Sequence, residues 1–183
     1  MKRSIRILFA TSLLFIGFLS CKKVADAIFQ GLDANVPDVQ ITIPIIPLVS
    51  PSEISLGSYS YNFNLDSIVK AKTAGVFGAN AVRFIKIKQI VISITNPDPL
   101  NNLANFESAR MTIQSNTNNN PVEFFKQTFP DTFATTFTFT PTNSTELFEY
   151  LKGTTITYNI FGKNRRITTK QLNMVVSTTL AVK

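Results

Sequence analysis

From Leu172 to Val182 the chain alternates strictly: Leu172, Met174, Val176, Thr178, Leu180 and Val182 take one parity, and Asn173, Val175, Ser177, Thr179 and Ala181 the other. Successive side chains of a strand point to opposite faces, so a period of two calls for a sheet with one face buried. The pattern recurs along the chain. Tyr59, Tyr61, Phe63 and Leu65 alternate with Ser58, Ser60, Asn62 and Asn64. Ala109, Met111 and Ile113 form another inward set, as do Ile156, Tyr158 and Ile160, and Phe133, Phe137 and Phe139 with Thr135 in the same register. In Val82 to Thr95, Ile85 and Ile87 share one parity while Ile90, Ile92 and Ile94 share the other. Such a change within one strand predicts a bulge, placed near Gln89.

Proline punctuates the start. Pro37, Pro44, Pro47 and Pro51 are interleaved with Ile41, Ile43, Ile45, Ile46 and Leu48, and proline cannot donate to a ladder. This segment is expected at a sheet edge or lying extended along the domain. Two short helices are expected. One begins at Asn64 and breaks at Gly75 and Gly78; the other runs from Asn143 to Lys152, with Glu146 completing a capping box and Gly153 as left-handed terminator. Gly162 to Arg166 reads as a tight hairpin turn. Seven or eight strands with turn signals between them predict an all-β chain with one or two short helices. The expected form is an antiparallel β-sandwich, immunoglobulin-like in outline, with a lipocalin-like closed barrel as the alternative.

The first residues set the compartment. Lys2, Arg3 and Arg6 precede the apolar run Ile7 to Leu19, which ends at Ser20-Cys21. This is the charged, apolar and small-residue order of a secretory leader, too short for the ~20 apolar residues of a spanning helix. Phe18-Leu19-Ser20-Cys21 resembles the lipobox of bacterial lipoproteins. Ser20 and Cys21 match it, while Phe18 and Leu19 are bulkier than usual. The resemblance implies a diacylglycerol thioether on Cys21, cleavage before it, and acylation of the new amino group. Each buried methylene then adds about 0.8 kcal/mol of membrane binding. The expected organisation is a leader over 1–20, a lipid-anchored tether over 21–37 and a sandwich over 38–183. Lys22, in place of Asp after the cysteine, favours outer-membrane retention by the same resemblance, with the periplasmic or surface face left open. Loss of the leader takes the formal charge from +7 to +4.

The 183 residues include no His, no Trp and one Cys, which excludes His-based triads, Cys-plus-His zinc sites and an intramolecular disulfide. Carboxylates remain. Asp98 and Asp131 fall in loops, and with Glu107 they define the alternative of a glycan hydrolase, which needs two facing acids. As turn residues they need no such role, and no catalytic residue, metal or cofactor is expected. The densest cationic cluster is Lys163, Arg165 and Arg166 with Lys170 nearby. It is either a contact for anionic lipid, phosphate or an acidic polymer, or a solvated turn that keeps an edge from pairing. Phe124, Phe125 and Phe129 break parity, and are expected to be buried on both faces or to bind a ligand. The polar run Ser115 to Asn120 suits either sugar binding or loop structure. The exported location and the lack of a recognition helix exclude nucleic acid.

Cys21-Lys22-Lys23 followed by a Thr- and Asn-rich β domain resembles the small exported lipoproteins of Gram-negative bacteria. Val91-Ile92-Ser93-Ile94-Thr95-Asn96-Pro97 is similar to the strand-then-Asn-Pro element of late-embryogenesis type 2 sandwich domains. Neither resemblance supplies a catalytic residue. The expected function is a non-catalytic structural or binding module held on the membrane by its anchor. An envelope protein, a glycan or a lipid is the expected class of partner, and a periplasmic lipid carrier is a further alternative.

Overall fold

The computed structural model describes residues 29, 31–142 and 144–183. Its strands are β1 (Leu32–Ile43), β2 (Ile54–Asn62), β3 (Ile85–Ile94), β4 (Phe106–Ser115), β5 (Val122–Thr128), β6 (Thr136–Phe139), β7 (Thr155–Asn164) and β8 (Leu172–Val182). Helix α1 (Leu65–Lys72) lies between β2 and β3, and α2 (Phe148–Leu151) between β6 and β7. One sheet has the order β1-β8-β3-β6 and the other β2-β7-β4-β5, with antiparallel neighbours throughout.

The antiparallel sandwich expected from the alternation is therefore the fold, and each sheet keeps two edges instead of closing into a barrel. Its winding follows from the pairs: β1 with β8, β2 with β7, β3 with β6 and β4 with β5. They nest like one long antiparallel ribbon folded over on itself, which is a jelly roll of eight strands in two sheets. An immunoglobulin domain divides its strands differently, four against three.

Burial follows the sequence closely. All six inward residues of β8 are buried, as are Ile156, Tyr158 and Ile160 of β7 and Ala109, Met111 and Ile113 of β4. The register of β3 against β8 shifts between Ile87 and Gln89, so the predicted bulge is present and brings both isoleucine sets into the core. β1 is an edge strand, and Pro37 falls where its register against β8 shifts. The strand begins at Leu32, so residues 32–37, read as tether, belong to the sheet.

Four local expectations change. Gly162 to Asn164 continue β7, and the chain then crosses to the other sheet, so no hairpin turn forms there. Phe133 lies before the four-residue β6 and is 60% exposed; only Phe137 and Phe139 pack against the core. The second helix is the single turn Phe148–Leu151; Glu146 does not complete a capping box, and its Oε1 accepts from the Ile85 and Phe148 amides, both at 2.8 Å. Asn143, the expected cap, is outside the described residues. Gly153 has no left-handed φ. It is needed because a Cβ would stand 2.6 Å from Asn116 Oδ1. Helix α1 does start as expected, with Asn64 Oδ1 accepting from the Ser67 amide at 2.9 Å.

Candidate functional site

The ribbon winding sends the β1–β2, β3–β4, β5–β6 and β7–β8 connections to one end of the sandwich, the loop end. Both helices, the start of β1 and the end of β8 lie at the other, the helix end. Most residues singled out in the sequence for chemistry, both acidic and basic, meet at the loop end.

The loops there are tied by buried amides. Asn105 donates to the carbonyls of Leu100 (2.8 Å) and Ile167 (2.7 Å) and accepts from the Asn102 amide (2.9 Å). Asn101 donates to Asp98 Oδ1 and Thr169 Oγ1, both at 2.9 Å, and accepts from the Thr169 amide at 2.8 Å. Asn102 accepts from the Ala104 amide (2.9 Å) and, at 3.4 Å, from that of Ala134. Asn164 accepts from the Ser50 amide (3.0 Å) and donates to the Leu48 carbonyl (2.9 Å). Thr168 exchanges two bonds with the Ile46 backbone. These side chains are 1–3% exposed, and none of the described buried side-chain nitrogens or oxygens lacks a partner. All four loops thus become one body, since a buried polar group left unpaired costs about 1–3 kcal/mol. Sequence reasoning missed this set. One signal was available: Asn164 sits at the inward parity of Ile156, Tyr158 and Ile160, where a polar side chain needs buried partners.

The cationic cluster and the candidate carboxylates are each other's partners. Lys163 meets Glu107 at 2.9 Å, Arg166 pairs with Asp131, and Lys170 meets Asp98 at 2.6 Å. Arg165 goes further inward. Its guanidinium donates to the carbonyls of Ala104 (3.3 Å), Phe106 (3.3 Å) and Phe129 (3.1 Å), with Asp131 at 3.7 Å. The Lys170 ammonium, the Asn101 amide and the Leu100 N–H hold the Asp98 carboxyl at about 2. Asp98, Asp131 and Glu107 are thereby bound to separate cations. Among the described residues no group of three or more His, Cys, Asp or Glu could hold a metal ion.

Over this polar layer lies an apolar rim. Of the described large apolar side chains that stay exposed, Ile45, Leu48, Val49, Leu100, Phe133 and Ile167 all belong to the four loops. Leu48 is 76% exposed and Leu100 69%. A groove of about 330 Å³ runs between Pro99-Leu100 and Ile167, with Asn102 and Asn105 among its walls. Because those asparagines already hold carbonyls and amides, the groove offers shape and apolar surface.

The remaining candidates lie elsewhere. Phe124, Phe125 and Phe129 are all buried, because the register of β4 against β5 shifts between Met111 and Thr112 and lets adjacent phenylalanines both turn inward. Phe124 meets Tyr158 in a tilted ring contact, and Phe125 and Phe129 meet Phe139 and Phe137 edge to face, with centroids 5.0–5.4 Å apart. Ser115 to Asn120 lies at the helix end, where Asn116 Oδ1 accepts from the Thr154 and Thr155 amides. Tyr61 and Tyr158 share a 3.0 Å hydroxyl contact; burial pushes Tyr158 up to about 12 and Tyr61 higher, so both stay neutral. Cys21 is outside the described residues.

No protein-family model and no curated protein matches the chain. Among solved structures it is similar to chains of infectious bursal disease virus, Gx strain (12% identity, TM-score 0.35) and Gt strain (11%, 0.33). Each alignment covers 84% of this chain, which spans about a third of the viral chains' length (32% and 33%). A decameric BFDV capsid protein is similar at 9% identity and TM-score 0.33, over 84% of this chain and 98% of that one.

Proposed function

We propose that the protein is a lipid-anchored module of the cell envelope, held by acylated Cys21 and presenting its loop end as a binding or structural surface without catalysis. The observation that carries this reading is the placement of the two ends. β1 starts at the helix end and runs 12 residues toward the loop end, a distance of roughly 40 Å at strand rise. An anchor upstream of Leu32 therefore holds the molecule by one end and leaves the other facing away. The engagement of Asp98, Asp131 and Glu107 by cations supports a role outside acid–base chemistry. A hydrolase acid needs a proton near neutral pH, and Asp98 is held at about 2.

The test is the intact mass of the protein from membranes of its host, beside the Cys21→Ala variant. The expected result is a chain starting at Cys21 with added acyl mass, absent from the variant. A chain cut near residue 20 without acyl groups would make the protein a secreted module, and an uncut chain would remove the anchor altogether.

A further inference from the structure

We infer that the helix end rests on an anionic lipid bilayer, the one that holds the anchor, through Val76, Phe84, Lys72 and Lys86. The inference rests on the anchoring of Cys21 proposed above and adds which face the membrane covers. The entering chain fixes that face. Phe29 meets the ring of Phe77 with centroids 5.2 Å apart. Cys21 precedes Phe29 by eight residues, a reach of at most roughly 28 Å when fully extended. Two residues further on, Gly31 lies so close to the end of β8 that a Cβ there would stand 2.7 Å from Lys183 Cγ. Lys183 in turn exchanges backbone hydrogen bonds with Phe84, at 2.8 and 3.0 Å. The chain arriving from the anchor is thus seated against both the turn after α1 and the residues that lead into β3.

Those two segments carry Val76, 72% exposed, and Phe84, the described large apolar side chains that stay exposed away from the loop end. The Val76 turn suits entry into an apolar layer, where an unpaired backbone group finds no water. The Thr73 amide donates to the Val69 carbonyl (3.0 Å), Gly75 to Lys70 (2.8 Å) and Val76 to Thr73 (3.0 Å), while the Phe77 amide donates to the Thr73 hydroxyl (3.1 Å). Charge selects the occupant. From Leu65 to Lys88 the chain has five cations and one acid. Lys70 is paired with that acid, Asp66, and Lys88 with Asp33 of β1. Glu146, bridged to Lys86 through the backbone, gives its Oε1 to the Ile85 and Phe148 amides, and Glu149 pairs with Lys152. Lys72 and Lys86 form no ion pair among the described residues, and such lysines beside an anchor are drawn to anionic headgroups. Exposed apolar side chains set among them make an interfacial contact, with the apolar groups at the boundary of headgroups and acyl chains. The tether supplies nearness, so a contact too small to hold a free protein is enough to hold an anchored one.

The test uses the anchored protein, purified from host membranes and reconstituted into vesicles. It carries a nitrobenzoxadiazole label on Val76→Cys or, at the loop end, on Leu100→Cys, both exposed positions. The intact mass of each sample reports acylation of Cys21 independently. In vesicles of phosphatidylethanolamine and phosphatidylglycerol, nitroxide-labelled lipid should quench the Val76→Cys label at least threefold more than the Leu100→Cys label. Vesicles of phosphatidylcholine alone, or Lys72→Glu combined with Lys86→Glu, should remove at least half of that excess. An acylated chain whose two labels are quenched equally would overturn the inference and leave the anchor standing. An excess indifferent to both lipid charge and the lysines would also overturn it, because an apolar contact alone does not select an anionic surface. A chain without acyl mass would overturn the anchor, and this inference with it. Unchanged protease resistance of each variant separates a lost contact from a lost fold.

Discussion

At the helix end the sandwich is covered by a helix that buries Leu65 and Val69 and turns an Asp66–Lys70 ion pair outward. At the loop end it is covered by irregular backbone, and side-chain amides take the place of helical hydrogen bonds. The two solutions respond differently to change. An apolar contact weakens gradually as methyl groups are removed. A saturated polar network fails abruptly, because removing one member strands several partners away from water. The difference suits a fixed surface at the loop end and an adaptable one beside the tether.

Asn105→Ala should widen this contrast most. It strands the Leu100 and Ile167 carbonyls and the Asn102 amide, and should lower unfolding free energy by about 3 kcal/mol in urea titration. Asn116→Ala at the helix end loses as many bonds in an exposed setting, where water replaces them, and should cost under about 1 kcal/mol. Equal losses would break the comparison. Arg165→Lys comes next: an ammonium cannot reproduce the fork that grips three carbonyls, so about 2 kcal/mol should go with the charge unchanged. Val69→Ala removes two fully buried methyl groups from α1 and should cost about 1.6 kcal/mol by the same titration.

Smaller effects sharpen each end. Helix α1 closes with the Gly75 amide on the Lys70 carbonyl at 2.8 Å, which leaves Ala74 at a left-handed φ of 51°. A left-handed residue with a Cβ costs about 1–2 kcal/mol, and glycine adds about 0.4–1 kcal/mol of unfolded-state entropy. Ala74→Gly should therefore stabilise the protein by about 0.5 kcal/mol, read as a raised melting temperature. At the loop end, Asp98 has its carboxyl depressed to about 2 from an ordinary 3.8. A depressed carboxyl stabilises the folded state above about pH 4 and loses that contribution as pH falls toward 2. Asp98→Asn should thus melt below the parent at pH 6, with the gap closing by pH 2. A gap that persists at pH 2 would assign the effect to Asp98's neutral hydrogen bonds.

The sequence carried some of this plainly and some not at all. Alternation reports which side chains face inward, so the buried row of β8, the Gln89 bulge and the edge position of the Pro37 strand could all be read in advance. It does not report which sheet a strand joins, and the jelly-roll winding depends on pairings such as Leu32 with Val182. The loop end was hidden for the same reason. Asn105 reaches Ile167 across 62 positions and Asn164 reaches Leu48 across 116, and no local pattern encodes such partners. Lys163 and Arg166 were conspicuous as charges, while their carboxylates lay 56 and 35 positions away.

Amide hydrogen exchange tests the central claim most directly. If the loop end is one fixed body, the amides of Ala104, Asn105, Arg165, Thr168 and Thr169 will exchange as slowly as those of central strands β7 and β8, through global unfolding. Those of α1 will exchange faster, through local opening. Loop-end amides exchanging as fast as open coil would contradict the account, because the asparagine network would then not hold the surface in place.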